Sequence, residues 1–171
     1  VILAVLVALR VLAQLNAGPD NSPKVGEVAP DFPIPAAQRG QPAGALKDFQ
    51  GKKNVLLMFF PGAFTPGCTT EFTEAGQQHD KFVALNVEML GISADLPGAQ
   101  NKFKETVGAK NSFVSDRSLA ISTKYDAAAA NNSKRYYFLI DQTGKILWKS
   151  SNNSLIPTDQ LLTQVSMALK K

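Results

Sequence analysis

The chain of 171 residues has the length of one ordinary domain, and its 44% hydrophobic and 19% charged residues exclude wholesale disorder. Its ten prolines and twelve glycines are too few for a fibrous protein. A single cysteine excludes an intrachain disulfide, and one cysteine with one histidine makes a Cys/His metal cluster implausible. The net charge of +4 is spread along the chain, whereas nucleic-acid binding needs a denser basic stripe, so no nucleic-acid partner is expected.

The first segment, residues 1–15, is apolar except for Arg10 and Gln14. It is shorter than the roughly 20 apolar residues that span a membrane. Three interpretations stay open: the remnant of a signal peptide or membrane anchor, an amphipathic helix that packs on this domain or a partner, and a cloning artefact. The first favours an exported or membrane-anchored protein over a cytoplasmic one. Gly, Pro, Asn, Asp and Ser in residues 16–24 predict a linker, so the domain is expected to span 25–171.

After the linker, the pattern of apolar residues predicts alternating strands and helices. Three prolines in residues 25–41 first predict an extended or looped chain. The predicted elements that follow are strands at 54–60, 87–93 and 112–114, and helices at 66–82, 98–107 and 117–125. The next segment predicts a hairpin, with strands 136–140 and 145–149 joined by the turn 141–144. A last helix is predicted at 158–169, and Thr158 can cap it.

This order of elements predicts the fold class. Strands that alternate with helices form a parallel sheet covered by helices, and the closing hairpin adds an antiparallel edge. We therefore expect an α/β fold with a central mixed sheet flanked by helices, preceded by an N-terminal apolar segment.

One segment, FFPGAFTPGCTTEF at residues 59–72, carries the chemistry. A buried strand is expected to end at Pro61, after which Thr65 suits the N-cap and Pro66 the first helical position. Cys68 then falls in the first helical turn, where free N–H groups and the helix dipole favour the thiolate. Thr65 lies three residues before Cys68, so its hydroxyl can bond to the sulfur or to a bound oxygen substrate. The alternative is that Cys68 is a small buried hydrophobic residue.

Pro61, Thr65 and Cys68 resemble the Pro-x-x-x-Thr-x-x-Cys signature of the peroxiredoxins, the thiol peroxidases of the alkyl hydroperoxide reductase and thiol-specific antioxidant family. Three other segments also resemble that family, in the expected order. They are VG at 25–26 with APDF at 29–32, GISAD at 91–95 and RYYFLID at 135–141. The similarity covers about residues 25–149 and implies a thioredoxin-like fold.

The resemblance implies that Pro61, Thr65, Cys68 and Arg135 form the peroxidatic site, with no metal or organic cofactor. The Cys68 thiolate would attack one peroxide oxygen and become a sulfenic acid. Arg135 would stabilise the developing charge, Thr65 would position the oxygen and Pro61 would shield the thiolate from water. Glu71, one turn beyond Cys68, either orients Arg135 or is simply a favourable acidic residue in a first helical turn.

Arg117 is the other arginine that could serve this site. It lies in Ser-Asp-Arg-Ser-Leu, which looks like a loop that opens a helix, and such a residue is expected to be solvated. We therefore prefer Arg135.

The sequence departs from the pattern of many relatives, which carry a resolving cysteine five residues after the first. Thr73 stands at that position, so the chain resembles a one-cysteine peroxiredoxin, nearest the bacterioferritin-comigratory branch. Oxidised Cys68 must then meet an external thiol. Glutathione, another small thiol, a thioredoxin-like protein, and Cys68 of a second subunit all remain open, and the last would inactivate the enzyme. The resemblance to this family also implies a homodimer.

The expected function is therefore reduction of hydrogen peroxide or an organic hydroperoxide. The alternative is a thioredoxin-like sensor or binding module that passes oxidation to a partner without turnover. The presence of Thr65, Cys68 and Arg135 together favours turnover, since a binding module does not need all three. A disulfide oxidoreductase is disfavoured because no Cys-x-x-Cys pair is present.

Overall fold

The computed structural model describes residues 19–35 and 44–170. The prediction for residues 1–15 lies outside the described residues. The described end of the predicted linker contacts the domain, because the Asp20 carboxylate accepts hydrogen bonds from Lys149 Nζ and Ser151 Oγ, both at 2.8 Å. Within the described parts of the chain, no helix is long and apolar enough to cross a membrane.

Seven strands and five α-helices build the described domain. The strands are β1 (Pro33–Ile34), β2 (Gly44–Ala45), β3 (Asn54–Phe59), β4 (Val87–Ser93), β5 (Ser112–Ser115), β6 (Tyr137–Ile140) and β7 (Ile146–Ser150). The helices are α1 (Pro66–Gln77), α2 (His79–Ala84), α3 (Pro97–Val107), α4 (Ala120–Lys124) and α5 (Thr158–Ala168), with a 3-10 turn at Leu46–Phe49.

The centre of the fold is a five-stranded sheet in the order β5-β4-β3-β6-β7. Strand β3 pairs in parallel with β4, and β4 with β5, whereas β6 runs antiparallel to both β3 and β7. The predicted mixed sheet with helices on its faces is therefore confirmed. The short antiparallel pair of β1 and β2 lies outside this sheet and was not predicted.

Every residue of β3 is buried because apolar layers cover both of its faces. Successive side chains of a strand point to opposite faces. One layer contains Leu56 and Met58 together with residues of α1, α3 and α5. The other contains Val55, Leu57 and Phe59 together with residues of the 3-10 turn and α4. This double burial explains the unbroken apolar run in the sequence.

Two helix predictions were wrong in their bounds. The predicted helix at 66–82 is divided at Gln78, whose φ of −99° and ψ of 6° leave the helical range, and the second piece carries Phe82 into the core. The predicted helix at 117–125 begins only at Ala120. The Asp116 carboxylate fixes this start, since it accepts the backbone N–H groups of Ile121 and Ser122 at 3.1 and 2.7 Å.

Three chain segments meet at one edge of the sheet. The Phe60 N–H donates to the Ile92 carbonyl at 3.0 Å, which joins the end of β3 to the end of β4. The Phe59 N–H donates to the Tyr136 carbonyl at 2.9 Å, which joins the end of β3 to the approach of β6. These bonds bring together the segments next to the bonded residues. The segments are 61–68 after β3, 93–95 at the end of β4, and residue 135 before β6.

Candidate active site

Cys68 lies in the first turn of α1, as predicted. Thr65 occupies the N-cap, Pro66 is the first helical residue and Cys68 is the third. The side chain of Cys68 is fully buried and forms no disulfide. Its sulfur is thus held next to the N-terminal end of the helix, whose dipole and free N–H groups favour a negative charge.

Arg135 is the cation that the fold brings to this sulfur. Its Nη2 donates a hydrogen bond to Cys68 Sγ at 3.2 Å, and its Nη1 donates to Glu71 Oε2. Burial alone lowers the pKa of Arg135, but the charges of Glu71 and Cys68 oppose that effect and the pKa is raised overall. A Cβ at Gly67 would lie 3.4 Å from Arg135 Nη2, so the glycine leaves room for the guanidinium against the first turn.

Glu71 lies in the second turn of α1 and is buried. Its carboxylate accepts a hydrogen bond from Tyr137 Oη at 2.5 Å as well as the bond from Arg135. Burial raises the pKa of Glu71 to about 7, although Arg135 and Tyr137 both oppose the rise by stabilising the carboxylate. Glu71 thus contacts Arg135 and lies outside the first helical turn, while its role in orienting Arg135 stays a prediction.

The raised pKa of Glu71 predicts how stability depends on pH. Between the ordinary value of 4.5 and about 7, the folded protein holds a proton that the unfolded chain has lost. The contribution of Glu71 to stability is therefore complete below pH 4.5 and is lost as the pH rises through 7. Urea unfolding at several pH values should show the wild type losing up to about 3 kcal/mol relative to Glu71→Gln across this window. Parallel pH profiles for the two proteins would contradict the prediction.

Tyr137 and Asn153 belong to this site and were missed by the sequence analysis. Tyr137 follows Arg135 by two residues, the spacing at which residues of an extended chain share a face, and this signal could have found it. Burial and the charge of Glu71 raise the pKa of Tyr137. Asn153, in the left-handed conformation with φ of +56°, accepts the backbone N–H of Arg135 through Oδ1 at 2.7 Å. Nothing local in the sequence indicates that contact.

Thr65 makes a different bond from the one expected. Thr65 is exposed, and its hydroxyl donates to the carbonyl oxygen of Gly62 at 3.1 Å instead of capping the helix or bonding to the Cys68 sulfur. Pro61 is half-buried in the loop between β3 and α1. The structure therefore places both residues in the segment that leads to Cys68, while their predicted roles toward a peroxide stay predictions.

Arg117 does not lie with the other site residues. It is exposed and lies in the turn between β5 and α4, two residues after the last residue of β5. Arg135, by contrast, is 8% exposed and hydrogen-bonded to the sulfur. The structure thus brings together Cys68, Glu71 and Arg135, with Thr65 at the preceding N-cap, and leaves Arg117 at the surface.

Comparison with known proteins identifies the family. Residues 25–149 match the model of the AhpC/TSA family. Peroxiredoxin Bcp of Escherichia coli K12 is 33% identical over 134 residues, which cover 74% of this chain and 84% of that protein. Peroxiredoxin Bcp of Bacillus subtilis is 30% identical over 132 residues, covering 72% and 82%. The crystal structure of peroxidoxin BcpB from Mycobacterium tuberculosis superposes with a TM-score of 0.74 at 26% identity, covering 86% and 96% of the two chains. The chain therefore belongs to the AhpC/TSA family and is a Bcp-like peroxiredoxin, a thiol-dependent peroxidase.

Proposed function

We propose that Cys68 is the peroxidatic residue and that Arg135, Thr65 and Pro61 complete the site. The observation that carries this proposal is the hydrogen bond of 3.2 Å from Arg135 Nη2 to Cys68 Sγ, inside the first turn of α1. A guanidinium stays charged and offers several directed donors, so it stabilises the thiolate and the charge that leaves it.

The reaction uses this arrangement in one displacement. The Cys68 sulfur attacks one oxygen of the hydroperoxide, a sulfur–oxygen bond forms, and the O–O bond breaks. The departing oxygen carries the electron pair away, takes up a proton and leaves as water or an alcohol, while Cys68 becomes a sulfenic acid. Arg135 faces the sulfur from which negative charge moves toward the departing oxygen.

Thr65 positions the hydroperoxide in this scheme. Its single hydroxyl proton is donated to the Gly62 carbonyl, so the oxygen lone pairs are available to accept the O–H of a hydroperoxide. Pro61, half-buried at the start of the same loop, shields the sulfur from bulk water. Glu71, fixed by Tyr137, holds the guanidinium by its other nitrogen, and so orients Arg135 toward Cys68.

An external thiol regenerates Cys68, because these 171 residues contain one cysteine and Thr73 stands at the position of the resolving cysteine. The thiol sulfur attacks the sulfenic acid, water leaves, and a second thiol reduces the mixed disulfide. The candidates are glutathione, another small thiol and a thioredoxin-like protein. The Cys68 side chain is fully buried, which favours a small thiol over a protein surface.

A homodimer is the assembly proposed for this enzyme. Phe64 and Leu96 are 52% and 57% exposed, although large apolar side chains are mostly buried. Phe64 directly follows Ala63, and Leu96 directly follows Asp95. Because the Ala63 N–H donates a hydrogen bond to Asp95, the two apolar side chains belong to the same region of the surface. Association with a membrane would depend on residues 1–15.

The experiment for the proposed chemistry is mass spectrometry of the protein after one equivalent of hydrogen peroxide. We expect one added oxygen on Cys68, and we expect glutathione or dithiothreitol to restore the free thiol within the dead time of a manual quench. A thioredoxin-like protein at the same thiol concentration is expected to act more slowly. A stable disulfide with a single protein, which no small thiol reduces, would instead support the sensor.

A further inference from the structure

The carboxylate of Asp95, just beyond the end of β4, contacts the loop that precedes Cys68. The Ala63 N–H donates to Asp95 Oδ2 at 2.8 Å. Ser93 Oγ donates to the same oxygen at 2.8 Å, and Gln100 Nε2 donates in turn to Ser93 Oγ at 2.9 Å. Ser93 and Gln100 are buried, so the carboxylate is fixed from the side of the sheet.

The Ala63 N–H belongs to the same peptide unit as the Gly62 carbonyl. That carbonyl accepts the hydroxyl proton of Thr65 at 3.1 Å. Because a peptide unit is planar, a bond that fixes its N–H also fixes the direction of its C=O. A chain of two hydrogen bonds therefore runs from Asp95 through one peptide to the hydroxyl of Thr65.

The loop needs such a bond because its own backbone is strained. Phe64, between Ala63 and Thr65, has a φ of +64°, in the left-handed region that bulky residues seldom adopt. A residue in this conformation persists where surrounding contacts hold it. Two contacts hold Phe64 from outside the loop: its ring packs edge-to-face on Phe103 with the centroids 5.4 Å apart, and the preceding N–H, that of Ala63, donates to Asp95.

We propose that Asp95 is a positioning residue that acts on the peroxidase reaction through the Gly62–Ala63 peptide and the hydroxyl of Thr65. The inference rests on the proposed role of Thr65 as acceptor of the hydroperoxide O–H. With the peptide fixed, the hydroxyl proton points to Gly62 and its lone pairs remain free for the substrate. Without Asp95 the peptide can turn, and the hydroxyl loses its defined orientation.

The test compares Asp95→Ala and Asp95→Asn with Ser115→Ala as the matched control. Ser115 Oγ donates to the backbone carbonyl of Asp95 at 2.6 Å, so the control removes a bond to the same residue and spares the carboxylate. The second-order rate constant for oxidation of Cys68 by hydrogen peroxide should fall roughly 10- to 100-fold in Asp95→Ala. Asparagine keeps an oxygen acceptor, so Asp95→Asn and the control should stay within about threefold of wild type.

Alkylation of Cys68 by iodoacetamide separates positioning from a damaged fold. This reagent has no hydroperoxide O–H for Thr65 to accept, so its rate constant should stay within about threefold of wild type in Asp95→Ala. Parallel changes in the peroxide and iodoacetamide rate constants would indicate a merely structural role and overturn the inference. An unchanged peroxide rate constant in Asp95→Ala would overturn it as well.

Thr65→Val distinguishes failure of the inference from failure of the proposed function. If Thr65→Val slows oxidation and Asp95→Ala does not, the inference fails while the role of Thr65 stands. If Thr65→Val has no effect, the role of Thr65 fails first. In the double variant, loss of Asp95 should add less than about twofold to the effect of Thr65→Val, because both act through one hydroxyl.

Discussion

Replacing Cys68 with serine is expected to abolish peroxide consumption by the purified protein in excess dithiothreitol. The wild-type sulfur is held against the first turn of α1 and accepts the hydrogen bond from Arg135. Serine keeps the size of the side chain, but its hydroxyl does not ionise under these conditions and is a poor nucleophile. Turnover should fall roughly 1,000-fold or more, to the rate of dithiothreitol and peroxide alone.

The measurement is peroxide disappearance for wild type and Cys68→Ser, with urea unfolding to show that both are folded. Thr73→Ser is a suitable control, because Thr73 lies on the same helix at the position where many relatives carry their resolving cysteine. Its activity should match wild type. Equal turnover by wild type and Cys68→Ser would remove Cys68 from the mechanism. A wild-type protein that consumes no peroxide and keeps Cys68 reduced would be a catalytically silent relative.

The helix that carries Cys68 could be predicted because its signals are local. Thr65 and Pro66 mark a helix start, and both occupy the expected N-cap and first positions. The hairpin could also be predicted from local signals, because its turn ends in a glycine. Gly144 adopts the left-handed conformation, with a φ of +85°, that this turn requires. In both cases neighbours in sequence determine the backbone.

The contacts that organise the site could not be predicted in the same way. Tyr137 bonds to Glu71 across 66 positions and Ala63 bonds to Asp95 across 32, so only the assembled sheet brings the partners together. The close approach of the first helix to Gly108 is a third contact between residues far apart in the chain. Gly76 lies so close to the Gly108 carbonyl that an added Cβ would come within 2.7 Å. The break at Gln78 was not predicted either, because the helical periodicity continues through it.

Arg135→Ala is expected to reduce the rate constant for oxidation of Cys68 by roughly 100- to 1,000-fold, the range found when a donor to a developing charge is removed. The truncation removes the hydrogen bond to the sulfur and leaves Glu71 buried without its cation. Without Arg135 the pKa of Glu71 rises further, because the guanidinium no longer stabilises the carboxylate. The buried contact is lost as well, so activity must be measured where unfolding curves show the variant folded.

Two further variants decide what the loss means. Arg117→Ala, at the exposed arginine before α4, should leave the rate constant within about twofold of wild type. Arg135→Lys keeps a charge but cannot reproduce the planar fork that reaches both Cys68 and Glu71, so most of the loss should remain. A large loss in Arg117→Ala alone would transfer the role to the surface arginine. Full activity in Arg135→Lys would show that a point charge beside the sulfur suffices, without the fixed orientation that Glu71 and Tyr137 supply.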